Sequence, residues 1–469
     1  MRDTKKLDQK ILRILVPAIL ENAFLILSDM ILTGYIGRLS VTEIRAYGIS
    51  TRVYGIYFSI LKGFAIGTMV IFARAFGAGK RKEGLNYYFQ ALFIAFPVAL
   101  VAAVLIWVFP QPLLSTMSSD STLLTYGASF LRIHVLTYPF LAIIHLNSSM
   151  FQADGNTKTP LYIATIGNLV SMVLGYVLIL GIGPIQGMGL QGAAITNNLR
   201  IIVMLLVGVY LLFNRNSVYR SHELSEFNSD MKIIKELIRF GVPTAIGNSF
   251  WNFAAVFLST YILSYGQQFY AAYQIGLQAE GFCDMMSSGF LTAAMSLSSL
   301  AIGAKNADMF KASYKRLNYY CYIICGINML FLLLFSKNVL HLLTDKMELI
   351  DIAHVYLLSM IASQFPQMKS KIEYGYIRSI GFSTLPTIID MVGIWCVRVF
   401  GCYLVSSVFH LDIFWIWMIV NADQWVRYLL SAGVIISKKV LRYLDQPHFP
   451  FQCEGQVNAC KYQRRENDE

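Results

Sequence analysis

The sequence predicts an all-α polytopic membrane protein, that is, one whose helices cross a bilayer repeatedly. Of its 469 residues, 56% are hydrophobic and 14% are charged, whereas soluble domains average roughly 45–50% and 25%. Two runs, 87–109 and 317–335, carry no charge and reach the length of about 20 residues that crosses the hydrocarbon core. Backbone polar groups in lipid must be satisfied inside the segment, and the alternation of barrel strands is absent, so these runs are predicted helices.

We predict twelve membrane spans, in preference to ten or fourteen. The first apolar run follows a basic segment, as in a signal peptide. It is too long for one and contains Glu21 and Asn22, so we interpret it as an uncleaved helix. The predicted spans are 14–37, 47–72, 87–109, 122–150, 160–182, 189–213, 240–265, 271–301, 317–335, 348–377, 384–408 and 412–436.

The net charge of +11 is interpreted as a topology signal. If both termini face the cytoplasm, most Lys and Arg residues lie in inner segments, so the positive-inside rule predicts a multi-pass plasma-membrane protein with cytoplasmic termini. Nucleic acid is not needed to explain the charge. The expected partners are the lipid bilayer and a small-molecule substrate, and we expect a monomer. The outer loops hold only Arg38, Arg45, Lys337 and Lys346.

Three landmarks recur at an offset of 226 residues, which indicates two duplicated halves. Each half has six predicted helices, an even number, so both copies start on the same side and the repeat is parallel. Such bundles commonly house a solute cavity between the halves and rock one half against the other, which is typical of a carrier. The paired landmarks are Pro17 and Pro243, Gly77 and Gly303, and Gly155 and Gly381.

The repeat divides the chain into four predicted parts. Cys453 and Cys460 fall in the last part, which we interpret as solvated chain in preference to a metal site. The seven cysteines give no disulfide framework. The parts are an N-terminal six-helix lobe (1–213), a cytoplasmic linker (214–239), a C-terminal six-helix lobe (240–436) and a cytoplasmic tail (437–469).

Asp29 is an acidic residue inside the first predicted span. An ionised carboxylate at the bilayer centre costs about 2.5–3.5 kcal/mol on insertion scales, so we expect it to have a function. Among apolar neighbours, Asp29 can exchange a proton, or hold a desolvated cation if oxygens such as that of Asn168 complete the shell. Glu21 lies about two helical turns earlier. It either continues a polar path toward the inside or pairs with a basic residue, and the pattern leaves both open.

Three acids form a candidate second-lobe site for a cation or a substrate charge. Glu280 and Asp284 are four residues apart on one helix face, so either one of them is protonated or a cation lies between them. Alternatively, Glu280 pairs with a neighbouring helix and Asp284 approaches the interface. Glu373 lies close to Lys369 and Lys371, which predicts either a cavity wall or an internal salt-bridge network.

For every intramembrane acid, Asp390 and Asp423 included, the alternative is a structural ion pair. The basic residues considered as partners are Lys62, Arg132, Lys369, Lys371, Arg398 and Arg427.

Several segments together resemble the multidrug and toxic compound extrusion (MATE) family of bacterial type. They are "PAILENAFLILSDMILTGYIG", "GISTRVYGIYFSILKGFAIGTMVIFARAFGAGKRKEG", "FQADGNTKTPLYIATIGNLV", "GMGLQGAAITN", "AAYQIGLQAEGF" and "YIRSIGFSTLP". Each is loose alone, but their order and spacing extend the resemblance from about residue 8 to 440.

The resemblance implies antiport, in which protons or sodium ions move inward while amphipathic, often cationic, compounds move out. It also implies that Asp29 is a coupling site, with Asn168 and Ser171 on the fifth helix beside it. This chain has Gly175 where related members carry a second acid, and Trp251 and Asn252 where others carry an acid on helix 7. The choice between proton and sodium therefore stays open.

We predict a secondary transporter with no cofactor and no bound metal. The sequence contains no complete P-loop, no HExxH motif and no nucleophile elbow, so an enzyme is disfavoured. A flippase or exporter of a lipid-linked or amphipathic metabolite is the main alternative. A polytopic membrane enzyme is a third possibility, but it requires clustered acids or histidines, and the histidines here are scattered.

Overall fold

The computed structural model describes residues 2–214, 230–438 and 440–445. The described part contains twelve long helical segments, which we number in chain order. They are α1 (Arg2–Ile36), α2 (Val41–Gly77), α3 (Arg81–Val108), α4 (Ser121–Ala153), α5 (Lys158–Leu180), α6 (Gly189–Phe213), α7 (Met231–Leu263), α8 (Gln267–Gly303), α9 (Ala307–Leu343), α10 (Met347–Ser379), α11 (Thr384–Val408) and α12 (Ile413–Ser437).

Short elements complete the described part. A one-turn helix, Pro110–Ser115, joins α3 to α4, and a 3₁₀ turn, Val440–Asp445, follows α12. A two-stranded antiparallel hairpin joins α5 to α6, with strands β1 (Gly181–Ile182) and β2 (Ile185–Gln186) in the register Gly181 to Gln186.

Ten helices of the described residues are long and apolar enough to cross a membrane, which confirms the all-α polytopic class. The two long helices outside this set, α7 and α12, carry polar side chains within their apolar stretches, such as Asn252 and Asp423. The count of twelve spans therefore stays a prediction.

Several helices extend beyond the predicted spans. The helix α1 begins at Arg2 where 14 was predicted, and α7 begins at Met231 within the predicted linker. Hydropathy detects only the part that lies in hydrocarbon, whereas a helix continues into water wherever its backbone bonds and caps support it. The side chain of Asp230 accepts a hydrogen bond from the backbone N–H of Lys232 and so caps α7.

The two halves share local features at repeat-related positions. Pro17 lies inside α1 and Pro243 inside α7. The fifth helix of each half contains π-helical turns that overlap at the repeat offset, at Tyr176–Leu180 in α5 and at Leu404–Val408 in α11. Because π-turns are rare and concentrate where function requires irregular backbone, their presence in both halves favours a duplicated architecture.

The hydrophobic core separates largely by half, with an exchange at the N-terminal parts of α1 and α7. One cluster is built mainly from α1–α6, which we call the N-terminal lobe, but it includes Phe240 and Ala245 of α7. A second cluster belongs mainly to α7–α12, the C-terminal lobe, but it includes Ile11 and Leu15 of α1. The N-terminal halves of α1 and α7 thus pack against the opposite lobe.

Close contacts between helices of the two lobes occur at repeat-related glycines. A Cβ added to Gly77 would lie 2.2 Å from the carbonyl oxygen of Leu300, and one added to Gly303 would lie 2.1 Å from that of Arg74. Leu300 is the repeat counterpart of Arg74, so the two contacts are equivalent. Only residues without a side chain permit this approach of the backbones.

Candidate functional site

Asp29 on α1 forms an ion pair with Arg200 on α6, with 2.9 Å between its Oδ1 and the guanidinium Nη1. The side chain of Asp29 is 55% exposed, whereas that of Arg200 is 7% exposed. The expectation of purely apolar neighbours around Asp29 was therefore wrong. The guanidinium of Arg200 thus balances the charge of this carboxylate in this conformation.

Arg200 is a functional candidate that the sequence analysis missed. It lies 171 residues from Asp29 and was not among the basic residues considered as partners. A sequence signal did exist, because Arg200 is the one charged residue of α6. A buried arginine in a membrane helix requires a partner.

A cavity of about 150 Å³ lies beside this pair, within the N-terminal lobe, and is closed on one side by α8 of the C-terminal lobe. Glu21 lines it and accepts a hydrogen bond from Nε2 of Gln152 at 3.0 Å. Lys62 on α2 also lines the cavity and interacts electrostatically with Glu21. The other polar lining residues are Asn22, Tyr54, His145, Ser148, Ser149, Asn168, Arg200, Ser288 and Thr292.

Asn168 and Ser171 on α5 are buried, but neither hydrogen-bonds Asp29 within the described residues. Asn168 is 2% exposed, lines the same cavity as Arg200, and has no partner for its Nδ2 atom. Ser171 likewise has no partner for its Oγ. The coordination shell expected around Asp29 is thus not assembled in this conformation, and Asn168 instead faces the cavity that contains Glu21.

In the C-terminal lobe, Glu280 and Asp284 each have a separate neutral partner on α10. Glu280 accepts a hydrogen bond from the hydroxyl of Tyr356. Asp284 accepts one from Nε2 of Gln367 at 3.1 Å. Each carboxylate is therefore hydrogen-bonded to a neutral side chain of its own.

Glu373 belongs to an internal network and not to an open cavity wall. Its carboxylate lies 3.4 Å from Nζ of Lys369 and accepts a hydrogen bond from Ser431 on α12. Lys369 also donates to the hydroxyl of Tyr314 at 3.0 Å. Both charged side chains are buried. Of the two interpretations drawn from the sequence, the structure shows the salt-bridge network.

A second network joins α11 and α12. Asp423 is fully buried and pairs with Arg398 at 2.7 Å and with Arg427, whose Nε donates to Oδ1 at 2.8 Å. Arg427 also contacts Asp390 at 3.3 Å. Both guanidiniums lie over the indole of Trp251 on α7, at 4.9 Å and 5.8 Å from the ring. Asp390 and Asp423 therefore have the structural partners considered for them.

Within residues 2–214, 230–438 and 440–445, no group of three or more His, Cys, Asp and Glu side chains is placed to hold a metal ion. Cys453 and Cys460 lie outside the described residues, as does most of the predicted tail.

The arrangement defines a class of protein. A polytopic helical bundle is built from two repeat-related halves, and a charged cavity lies among its helices with walls from both halves. Carriers of solutes across membranes share these features. The chain is a multi-pass membrane transporter and not an enzyme.

Comparison with models of known protein families identifies the family to which this chain belongs. The model of the MatE family matches residues 17–177 and again residues 243–404. The chain therefore belongs to the MatE family, as the resemblance in its sequence indicated. The two matches begin 226 residues apart, at the offset of the internal repeat.

Relatives and solved structures agree with this assignment. The probable multidrug resistance protein YoeA of Bacillus subtilis is 24% identical and covers 89% of this chain and 91% of its own length. The probable multidrug resistance protein NorM of Thermotoga maritima is 23% identical, with 93% and 94% covered. A MOP superfamily transporter from Pyrococcus furiosus, described as having a binding pocket of reverse polarity, shares the fold with a TM-score of 0.86 at 17% identity, covering 94% of this chain and 97% of its own.

Proposed function

We propose that this protein is a secondary antiporter that exports amphipathic drugs or toxic compounds, cationic ones included, while protons or sodium ions move inward. The two lobes tilt alternately and expose the cavity to one side of the plasma membrane at a time, and both termini face the cytoplasm. The protein acts as a monomer. Support comes from the multidrug-resistance relatives, the repeated architecture and the charged cavity.

One observation carries the proposal: Glu21, a carboxylate, lines a cavity whose walls include Ser288 and Thr292 of the opposite lobe. A charge change at Glu21 is therefore felt at the surface where the lobes meet. We infer that Glu21 is the coupling carboxylate in this conformation. Asp29 is balanced by Arg200 and joins the cycle only if that pair separates, with Asn168 and Ser171 as the buried polar residues nearby on α5.

We propose a different role for the acidic residues of the C-terminal lobe. Glu280 and Asp284 lie on α8, the helix that closes the cavity further along its length. We propose that they contact the positive charge of a substrate in the space between the lobes, since both are held by neutral partners. Glu373 is paired with Lys369 of the same helix and, through the hydrogen bond that it accepts from Ser431 of α12, holds α10 against α12.

The second candidate function is that of a flippase for lipid-linked metabolites. A wide basic cavity would favour it, with Lys369, Lys371 and Arg398 as its basic wall. In the structure Lys369 pairs with Glu373 and Arg398 with Asp423. The cavity of about 150 Å³ is also well below the roughly 300–1,000 Å³ of pockets that enclose drug-sized ligands, so in this conformation it encloses neither a large head group nor a whole drug molecule.

The test is transport in proteoliposomes that contain a fluorescent amphipathic cation, with either a pH gradient or a sodium gradient imposed. We expect one gradient to drive flux in the wild type. Glu21→Gln preserves the size of the side chain and its contact with Gln152 but removes the titratable charge. We expect it to lower gradient-driven flux at least tenfold while counterflow of the dye without a gradient persists.

The matched control is Glu83→Gln, since Glu83 pairs with Lys80 at the exposed start of α3. Gradient-driven flux should be unchanged in this variant. Absence of flux under both gradients in the wild type would contradict antiport. Full coupling in Glu21→Gln would remove this residue from the mechanism, and loss of coupling in Asp29→Asn alone would assign the role to Asp29.

A further inference from the structure

The buried polar atoms without a hydrogen-bond partner in the cavity beside Glu21 are nitrogens and not oxygens. Three of its lining residues have a buried polar atom without a hydrogen-bond partner, and all three atoms are nitrogens: Nε of Arg200, Nδ2 of Asn168 and Nε2 of His145. Arginine and amide nitrogens only donate, whereas a metal cation requires oxygen acceptors. The buried atoms left unpartnered in this cavity are thus unsuited to a sodium ion.

Lys62 adds a further nitrogen donor, and a positive charge, to the lining of this cavity. Its side chain is half-buried on α2, and its Nζ lies 5.6 Å from the ring centroid of Phe58. Within the described residues it has no ion pair inside 4.0 Å, yet it acts electrostatically on both Glu21 and His145. A lysine ammonium is an unbranched positive charge that donates and never accepts. It therefore compensates an ionised Glu21 and repels any second cation that approaches.

The basic side chains that line the cavity around Glu21, together with its hydrogen-bond donor Gln152, belong to three helices. Lys62 belongs to α2, His145 and Gln152 to α4, and Arg200 to α6. On α8 the cavity is lined only by neutral side chains. The cavity thus contains one carboxylate, Glu21, one histidine, His145, and two residues with a full positive charge, Lys62 and Arg200, of which Arg200 is already engaged by Asp29.

We propose that Lys62 is the residue that makes this transporter select protons over sodium ions. This inference rests on the proposed coupling role of Glu21 and specifies its ion. When Glu21 is ionised, the ammonium of Lys62 serves as its counter-ion. When a proton arrives, it neutralises Glu21 on the carboxylate itself and needs no coordination shell. A sodium ion would require the same carboxylate and would meet Lys62 as a like charge.

The discriminating variant is Lys62→Gln. It leaves Glu21 without its counter-ion and adds a side-chain oxygen beside those of Gln152, Ser148 and Ser149. In proteoliposomes with matched gradients, we expect wild-type flux under a sodium gradient to stay below one tenth of the flux under a pH gradient. In Lys62→Gln we expect the ratio of sodium-driven to proton-driven flux to rise at least tenfold.

Two controls isolate the charge at this place. Lys62→Arg retains a positive charge and should retain proton selectivity. Lys371→Gln removes a similar lysine of the C-terminal lobe, which is half-buried with its Nζ 5.8 Å from the ring of Tyr374. It should leave the flux ratio unchanged.

A second measurement does not depend on transport. The midpoint of thermal unfolding is compared in sodium chloride and in choline chloride, and only Lys62→Gln should gain sodium-dependent stabilisation. Sodium-driven flux in the wild type, or an unchanged flux ratio in a folded Lys62→Gln protein, would overturn the selection proposed for Lys62. Absence of gradient-driven flux in every variant would instead contradict antiport itself.

Discussion

At the scale of single residues, burial separates two kinds of ion pair. Asp423 is fully buried between Arg398 and Arg427, so both guanidiniums depend on its charge. The side chain of Asp29 is more than half exposed, so only the buried Arg200 would need a new partner if this pair separated. The first pair is suited to holding helices together, and the second can open during a transport cycle.

This contrast predicts a large effect of Asp423→Asn on stability. The substitution preserves the shape of the side chain but leaves two buried guanidiniums without their shared carboxylate, which typically costs about 3–5 kcal/mol. Thermal unfolding of the purified protein in detergent measures the effect. Asp351→Asn is the control, because Asp351 pairs with Lys337 at an exposed site, where a pair contributes about 0–1 kcal/mol. Equal effects of the two substitutions would contradict this argument.

At the scale of helices, glycine determines where the lobes meet. Gly63 on α2 lies against Ala245 of α7, and a Cβ on it would come within 2.6 Å of that backbone. Its repeat counterpart Gly289 on α8 lies against Ile19 of α1 in the same way. With Gly77 and Gly303, these contacts form two matched lines of close approach. Helices that meet backbone to backbone can slide or separate as rigid bodies, which suits a rocking motion.

We expect Gly303→Ala to disfavour the observed contact of the lobes. Its Cβ would meet the backbone oxygen of Arg74 at 2.1 Å, and such overpacking typically costs about 1–3 kcal/mol. Hydrogen–deuterium exchange of amides at the inner ends of α2 and α8 should become faster. A Cβ on Gly326 would meet nothing within 4 Å, so Gly326→Ala should leave this exchange unchanged. Unaltered exchange in Gly303→Ala would show that the contact does not constrain the lobes.

At the scale of the whole molecule, the described polar contacts between the lobes lie in the C-terminal half of α2, at the middle of the bundle and at the start of α1, where Asp8 pairs with Arg316 of α9 at 3.4 Å. Arg74 of α2 donates through Nε and Nη2 to the carbonyl oxygen of Ser379, the last residue of α10, at 3.1 Å and 2.6 Å. Nearer the middle, Asn252 of α7 donates to Ser59 at 2.8 Å. These contacts join the lobes on the side that the charge distribution predicts to be cytoplasmic.

Arg74→Met should favour opening on that side. It removes two charge-assisted hydrogen bonds to one carbonyl, each typically worth about 1.5–3 kcal/mol, while it retains an apolar stem over Phe240. Spin labels at the exposed, repeat-related positions Lys82 and Asp308 would report the separation of the inner ends by pulsed electron resonance. We expect a longer mean distance in Arg74→Met. The control Arg52→Met, at an exposed position of the outer half of α2, should reproduce the wild-type distance distribution.

Whether the sequence alone can predict an interaction depends on how many residues separate the two partners along the chain. Asp423 and Arg427 are four residues apart on one helix, and such pairs follow from helical geometry. Glu280 and Tyr356 are separated by 76 residues, so their hydrogen bond depends on how α8 packs against α10. The shared helix face of Glu280 and Asp284 was visible in the sequence, but their two separate partners were not.

The sequence by itself determined the membrane-spanning helical class, the internal duplication and the family, because hydropathy, period and offset are properties of neighbouring or equally spaced residues. Only the tertiary structure decided that Asp29 meets Arg200 and that Glu21 shares a cavity with Lys62. These contacts involve residues on helices that are far apart in the chain. Their energy depends on distance and burial, which are fixed only when the helices pack.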